Sequence, residues 1–183
     1  MLLNLFGKLT GDNMDKTSIY TYSPSPAIKW LNKHVFSITN PETIMDFRAG
    51  RYCRNAEYLR SCGFKVYAYD PNHGSMEADP YNGETPFKLP YCRNPDVVFT
   101  CFVLNTIESK EDFDDILTTC EYKSVMRTYH ITRNKDLLKL GTEEEVREGV
   151  RTSKGFQRLI DLEPHGFEIL HETRDYIIWA ELI

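Results

Sequence analysis

Residues 44–72 constrain the fold of this chain more than any other stretch. Their sequence, IMDFRAGRYCRNAEYLRSCGFKVYAYDPN, opens with a short apolar run that ends in Asp46 and then turns at Ala49 and Gly50. A helical segment follows, and after it a second apolar run that ends in Asp70. Folds of the α/β class use this order of strand, turn, helix, strand and acid to bind nucleoside-bearing cofactors. The turn lets backbone N–H groups approach the ligand, and the second acid accepts hydrogen bonds from ribose hydroxyls.

The composition predicts one globular domain. The chain has 183 residues, of which 41% are hydrophobic and 27% are charged, and this length suffices for a full hydrophobic core. We expect residues 1–22 to form an N-terminal lead-in and residues 23–183 to form a single domain. No apolar run reaches the length of a membrane span, and the apolar N-terminus lacks the features of a signal peptide. The net charge of −5 disfavours nucleic acid as a bulk-binding partner, although a local basic patch would still permit it.

Cysteine and histidine usage predicts neither disulfides nor a metal site. The five cysteines are odd in number and none has C-x-x-C spacing, which is typical of buried reduced thiols. The five histidines are scattered, and none falls at the spacing of metal ligands. We therefore expect a cytoplasmic protein without a bound metal.

Hydrophobic periodicity predicts an alternation of helices and strands. The predicted helices cover residues 23–35, 51–62, a segment that begins at Ser109, a short acidic segment at 142–145, and 153–163. The predicted strands cover residues 43–47, 65–69, 96–104, 123–132, and a C-terminal pair within 166–173 and 175–183. Residues 71–95 have the composition of a long loop, which tends to be functional in a compact domain. This order indicates an α/β sandwich with a mainly parallel sheet and an antiparallel C-terminal hairpin.

Asp46, Gly50 and Asp70 form the first candidate site. Gly50 permits close backbone approach, Asp46 can order the turn and face a cofactor's ammonium group, and Asp70 would bind the ribose. The alternative is a tight turn in a sheet protein that binds nothing, since only one glycine of the G-x-G-x-x-G pattern is present.

At several places the chain resembles the class I S-adenosylmethionine-dependent methyltransferases. Residues 46–51, DFRAGR, resemble the D-x-G-x-G-x turn of that family, and residues 66–72, VYAYDPN, resemble its second-strand acid motif. Residues 95–107, PDVVFTCFVLNTI, resemble the fourth-strand motif that ends beneath the transferable methyl. More narrowly, VLNTI at 103–107 and GVRTSKGFQR at 149–158 are similar to segments of a methyltransferase group associated with bacterial DNA phosphorothioation.

This resemblance covers roughly residues 41–160. It implies a seven-stranded, Rossmann-like sheet that binds S-adenosylmethionine and transfers one methyl group per turnover. The cofactor site that it implies is formed by Asp46, Arg48, Ala49, Gly50, Asp70, Pro71, Asn72, Phe102 and Val103.

Arg48 departs from the family pattern, because it stands where such turns usually have glycine. The resemblance puts this position against the amino-acid end of the cofactor, where a bulky and permanently charged guanidinium has little room. Arg48 can swing outward, pair with the cofactor's carboxylate or an acidic substrate, or block the site. The sequence leaves these three outcomes open.

Asn105 and His130 are the candidate catalytic residues. Asn105 ends the buried strand, so its amide can orient the nucleophile or the cofactor, or alternatively satisfy loop backbone. Tyr129, His130 and Arg133 lie at or just after the end of the strand predicted at 123–132 and can reach the substrate side. His130 can act as a general base, since its ordinary pKa is about 6.5, or can be a partly buried histidine bonded to backbone. Methyl transfer demands little of side chains, so the lack of an obvious acid–base dyad does not argue against an enzyme.

Two further groups of residues could contact a nucleic acid. The cationic run could grip phosphate, or form a solvated face balanced by the acids at 143–145; its members are Arg147, Arg151, Lys154 and Arg158. Tyrosines in predicted loops could stack on a planar base, or cover core edges; they are Tyr20, Tyr22, Tyr81 and Tyr91.

Three functions remain open. The first is a methyltransferase of undefined substrate, for which the phosphorothioation resemblance suggests a nucleic-acid-related acceptor. The second is a methyltransferase-shaped binding protein whose pocket is altered by Arg48 and which acts through a protein partner. The third keeps S-adenosylmethionine but uses it in another reaction, such as its cleavage.

Overall fold

The computed structural model describes residues 22–50, 52–70, 95–153 and 155–182. The predicted lead-in, apart from Tyr22, and nearly all of the predicted loop at 71–95 lie outside these ranges. No helix in the described ranges is long and apolar enough to cross a membrane.

A six-stranded sheet forms the centre of the molecule, with the order β2-β1-β3-β4-β9-β8. Its strands are β1 (Thr43–Phe47), β2 (Lys65–Tyr69), β3 (Val97–Cys101), β4 (Arg127–Arg133), β8 (Phe167–Glu172) and β9 (Tyr176–Glu181). The first four strands in this order pair in parallel, and β9 pairs antiparallel with both β4 and β8. The predicted mainly parallel sheet with an antiparallel C-terminal hairpin is therefore confirmed.

Helices cover both faces of the sheet. They are α1 (Pro26–Leu31), which continues through a π-helical turn (Asn32–Phe36) into α2 (Ser37–Thr39), then α3 (Arg54–Ser61), α4 (Lys110–Lys123) and α5 (Lys135–Leu140). One apolar core lies where α1 and α3 meet one face of the sheet, and a second lies between the other face and α4. Ser25 and Ser109 cap α1 and α4 with side-chain hydrogen bonds, as serine does at many helix starts.

A small second sheet contradicts two of the predicted helices. The segments at 142–145 and 153–163 contribute instead to β5 (Glu144–Val146) and β7 (Gly155–Arg158), and both strands pair antiparallel with β6 (Gly149–Thr152), which lies between them. Acidic residues favoured a helix locally, but pairing with β6 overrides that preference. Gly149 permits the close strand contact, because a Cβ there would lie 2.6 Å from the Phe156 ring.

Three smaller differences concern the end of one strand, the start of another and one further helix. The strand predicted at 96–104 ends at Cys101, and Leu104–Thr106 forms a 3₁₀ turn. The strand predicted at 123–132 begins at Arg127, because α4 extends to Lys123. Helix α5 was not predicted; Asn134 starts it by accepting a hydrogen bond from the backbone N–H of Asp136.

Candidate functional site

The four parallel strands end along one edge of the sheet, which we call the carboxyl edge. It is formed by the residues at and just after the ends of β2, β1, β3 and β4, which include Asp70, the turn at 48–50, Phe102 and Arg133. Parallel α/β sheets bind their ligands in the crevice at this edge. The edge therefore brings together most of the residues predicted for the cofactor site, while Pro71 and Asn72 lie outside the described ranges.

The turn after β1 is fastened to the end of β2. The Ala49 N–H donates to the Tyr69 carbonyl at 3.0 Å, and the Gly50 N–H donates to Asp70 Oδ2 at 2.7 Å. Gly50 has a φ of 72°, and a Cβ built on it would meet no atom of the described residues within 4 Å. The acid predicted to bind ribose thus also holds the glycine turn, and the described part of the chain leaves space open in front of that turn.

Asp46 is a buried carboxyl group at the end of β1. Its side chain is 1% exposed, and its Oδ2 has no hydrogen-bond partner in the described part of the chain. Burial, and secondarily the charge of Asp70, raise the pKa of Asp46 to about 8, whereas Arg60 and a backbone hydrogen bond from Ala56 oppose that rise. A buried carboxyl with an unused oxygen is costly unless a cation or donor satisfies it. Asp46 is therefore suited to receive a cationic group from a ligand.

Arg48 adopts the left-handed backbone conformation that favours glycine, with a φ of 62°. Burial lowers the pKa of Arg48, and the charges that oppose this effect are, in order, those of Asp70, Tyr69, Asp112 and Cys120. Since the last two belong to α4, the guanidinium lies towards the α4 face, whereas Asp46 contacts α3 on the other face. The Arg48 guanidinium and the Asp46 carboxyl therefore lie towards opposite faces of the sheet.

Phe102 and Val103 follow the end of β3. Phe102 has a φ of 59°, and its N–H donates to the Ile131 carbonyl at 2.8 Å. A left-handed conformation is strained for an aromatic residue, and such strain collects at functional sites. The Phe102 ring lies beneath the Arg133 guanidinium, whose central carbon is 4.2 Å from the ring centroid. Val103 is buried and leads into the 3₁₀ turn.

Sequence reasoning missed a polar cluster on the α1 side of this edge. The Ser25 N–H donates to Asn55 Oδ1 at 2.9 Å, and both side chains hydrogen-bond the thiol of Cys101. Burial raises the pKa of Cys101 to about 12, so this thiol stays protonated. Ser25 carried only the signal of a helix cap, and no local pattern linked it to residues 30 and 76 positions away.

Asn105 is fully buried, and both polar atoms of its amide bond backbone groups. Its Nδ2 donates to the Arg158 carbonyl at 3.0 Å, and its Oδ1 accepts from the Arg133 N–H at 2.7 Å. This is the arrangement of an asparagine that satisfies loop backbone. Asn105 joins the ends of β4 and β7, and the described contacts do not place its amide against a ligand.

His130 lies inside β4, three residues before the strand ends, and is fully buried. Its Nδ1 is 2.8 Å from Thr100 Oγ1, and its ring packs against Phe167 with centroids 5.0 Å apart. Burial lowers the pKa of His130 to about 3, so the imidazole is neutral. The structure brings His130 into the core beneath the carboxyl edge, and does not bring it to the end of the strand.

The cationic run does not form one patch. Arg158 is 6% exposed and its guanidinium donates to the carbonyls of Ile107 and Glu108 and to Glu148. Arg151 forms exposed ion pairs with Glu108 and Glu144. Lys154 lies outside the described ranges. Within these ranges no group of three or more His, Cys, Asp or Glu side chains could hold a metal ion.

Comparisons with known proteins support the fold. No model of a known protein family matches the chain, and no curated protein sequence matches it. Among solved structures, an S-adenosylmethionine-dependent methyltransferase from Clostridium acetobutylicum ATCC 824 is 14% identical, with a TM-score of 0.56 over 85% of this chain and 90% of that one. The glycopeptide N-methyltransferase MtfA complexed with S-adenosylmethionine is 10% identical, with a TM-score of 0.57 over 91% and 97%.

A third similar structure is the methyltransferase domain of bacterial CtHen1-CN, which is 10% identical with a TM-score of 0.57 over 86% of this chain and 97% of that one. At such identities the likeness shows the fold alone. The chain therefore has the mixed α/β, Rossmann-like fold of these methyltransferases.

Proposed function

We propose that this chain binds S-adenosylmethionine at the carboxyl edge and acts as a methyltransferase. The observation that carries the proposal is the buried Asp46 carboxyl, whose Oδ2 is unused among the described residues and which lies beside a glycine turn that the same residues leave open. Similar solved structures are complexed with S-adenosylmethionine or S-adenosylhomocysteine, which supports the same class of ligand here.

The residues at this edge fit the chemical groups of the cofactor. Asp46 would face the ammonium group, because a cation satisfies its Oδ2 and favours its ionised form. The backbone at Ala49 and Gly50 would lie against the cofactor, and Asp70 would accept hydrogen bonds from the ribose. Phe102 and Val103 would line the same crevice from the end of β3.

The bound cofactor would supply an activated methyl group on a sulfonium. The protein's part would then be to orient the nucleophile and to exclude water, which needs no acid–base dyad. We assign Asn105 and His130 to this framework as positioning residues: Asn105 ties β4 to β7, and His130 bonds Thr100 within the sheet.

Titration calorimetry with S-adenosylmethionine and S-adenosylhomocysteine tests the proposal. We expect both to bind, and Asp70→Ala to weaken binding by more than about tenfold, since it removes the ribose acceptor and the bond to Gly50. Asp114→Ala is the matched control, because Asp114 pairs with Lys110 on the exposed side of α4. A folded wild-type protein that binds neither compound would refute the enzyme and the cofactor alike.

A second candidate rests on Arg48. A guanidinium in a left-handed turn beside Asp70 would suit a fold whose pocket has been altered and which acts through a protein partner. Arg48→Gly separates the two: if it turns a protein that does not bind S-adenosylhomocysteine into one that does, the pocket is degenerate. If wild type and variant bind equally, the second candidate is excluded.

We extend the proposal to the methyl acceptor and to the cellular compartment. The phosphorothioation resemblance suggests a nucleic-acid-related acceptor, and the net charge of −5 does not favour one. We place the protein in the cytoplasm because the cysteines in its described part, Cys53, Cys62, Cys101 and Cys120, are all free.

A further inference from the structure

Arg133 lies at the β4 end of the carboxyl edge, and the proposed cofactor does not contact that end. It is the last residue of β4, and its guanidinium lies over the Phe102 ring at 4.2 Å. The strands follow one another as β2, β1, β3 and β4, about 4.8 Å apart. A cofactor held by Asp70 after β2 and by the turn after β1 leaves the end of β4 to the second substrate.

The backbone on which Arg133 sits is fixed from two sides. Its N–H donates to Asn105 Oδ1 at 2.7 Å, and the next residue, Asn134, donates its N–H to the Asp175 carbonyl at 3.3 Å. The Asn134 side chain also donates to Glu172 and to the Thr173 carbonyl. The guanidinium therefore extends from a rigid base and rests on an aromatic ring, so little conformational freedom is lost when it binds an anion.

Arg133 has no acidic partner among the described residues. Arg127, Arg151 and Arg158 each pair with a glutamate in that part of the chain. The chain has 27 acidic and 22 basic residues, so an acid to pair with Arg133 would not be scarce. The ring that supports it belongs to Phe102, whose strained backbone is retained at this edge. A half-buried cation prepared in this way, with no anionic partner in the described part of the chain, points to a ligand.

We propose that Arg133, supported by Phe102, binds a carboxylate of the methyl acceptor and selects small carboxylic acids as substrates. This inference rests on the proposed methyltransferase function. The planar fork of a guanidinium matches the two oxygens of a carboxylate. One cation balances one such charge, whereas a nucleic-acid strand repeats its charge at every phosphate and requires several cations.

Fluorine NMR with 4-fluorobenzoate, a carboxylate probe, tests this assignment in the presence and absence of S-adenosylhomocysteine. The neutral analogue 4-fluorobenzamide measures binding without the charge, and 4-fluorophenyl phosphate offers the other anion. We expect wild type to bind the benzoate, and Arg133→Met to weaken that binding at least tenfold while Arg133→Lys retains part of it. Arg127→Met is the matched control, because Arg127 lies on the same strand and its guanidinium is also near an aromatic ring. The central carbon of that guanidinium is 5.9 Å from the centroid of the Tyr129 ring.

Several results would overturn the assignment. They are equal binding of benzoate and benzamide by wild type, an unchanged benzoate affinity in Arg133→Met, and tighter binding of the phosphate than of the benzoate. A tenfold loss of S-adenosylhomocysteine affinity in Arg133→Met would also overturn it, by assigning the arginine to the cofactor. Failure of wild type to bind S-adenosylhomocysteine would instead refute the proposed function, and the titrations without cofactor would still decide the role of Arg133.

Discussion

The two edges of the central sheet satisfy their polar groups in different ways. At the amino edge, where β1, β3 and β4 begin, the Asp96 carboxylate accepts the backbone N–H groups of Glu42 at 2.6 Å and Thr43 at 3.2 Å. Arg127 donates to the Glu181 carbonyl and to Glu168, both at 2.7 Å. These charged groups are bonded within the protein, so they contribute to stability and are not available to a ligand.

At the carboxyl edge the corresponding groups are strained or incompletely bonded. Arg48 and Phe102 have positive φ angles directly after β1 and β3, and Asp46 has a buried oxygen without a partner in the described residues. Such features lower stability and persist where a ligand needs them. The amino edge therefore supports the fold, whereas the carboxyl edge is where we propose that the ligand binds.

We expect the largest change in stability from the ionisation of Asp46, which makes the free energy of unfolding depend on pH. Its pKa rises to about 8 in the folded protein from its ordinary value of 3.8, so the folded state holds a proton that the unfolded state has lost. The stabilisation that this proton gives to the folded state is fully present below pH 3.8 and is lost as the pH rises through 8. We expect the free energy of unfolding to fall by up to about 1.4 kcal/mol per pH unit in urea titrations above pH 6.5.

The contribution of His130 to the pH dependence of stability has the opposite sign to that of Asp46. It therefore limits the pH range in which the Asp46 effect can be measured. The pKa of His130 is lowered from 6.5 to about 3, so the unfolded state takes up the proton first and stability falls as the pH drops below 6.5. Between pH 6.5 and 8 the contribution of His130 fades, and of these two groups Asp46 dominates the pH dependence of the stability. In Asp46→Asn the downward slope in that window should disappear; an identical slope in the variant would show that the Asp46 carboxyl is not the group responsible.

At the amino edge, we expect Asp96→Ala to lower the free energy of unfolding by about 2 kcal/mol, because two backbone N–H groups lose a charged acceptor. Urea denaturation measures the loss, and calorimetry should show an unchanged affinity for S-adenosylhomocysteine at a temperature where the variant is folded. A folded Asp96→Ala protein with weakened ligand binding would break the distinction between the two edges.

The strain at Arg48 predicts a smaller effect. Arg48→Gly and Arg48→Ala both remove the guanidinium, but only glycine accepts a φ of 62° without strain. We expect the glycine variant to be more stable than the alanine variant by about 1 kcal/mol in urea denaturation. Equal stability would mean that the turn relaxes when the arginine is removed, and that the left-handed conformation stores no strain.

The smallest effect is expected at the Arg127–Glu168 ion pair. Its glutamate side chain is 51% exposed and its arginine 23%, so solvent screens the attraction. Glu168→Gln should lower stability by about 0.5 kcal/mol or less. The loss should shrink further in molar salt, and a loss above the Asp96→Ala value would show that the amino edge depends on its surface pairs.

The sequence alone was sufficient for the elements whose signals are local. The stretch around β1, α3 and β2 carries its own turn residues, and β3 is a nearly continuous apolar run, so these elements were predicted, although β3 ends earlier than expected. The small sheet of β5, β6 and β7 was not predicted, because its strands form by pairing with one another. Neither the fit of Gly149 against Phe156 nor the burial of Arg158 leaves a local pattern.

For the site residues, too, local sequence predicts some features and tertiary packing decides the others. The sequence by itself identified Asp46, Gly50 and Asp70 as a set, because their order around a strand–turn–helix unit is local information. Only the tertiary structure decided what each group contacts: the bond from Gly50 to Asp70, the use of Asn105 by two distant backbones, and the stacking of Arg133 on Phe102. Burial, strain and pairing between segments 20 to 53 residues apart are properties of packing, and packing exists only once the chain has folded.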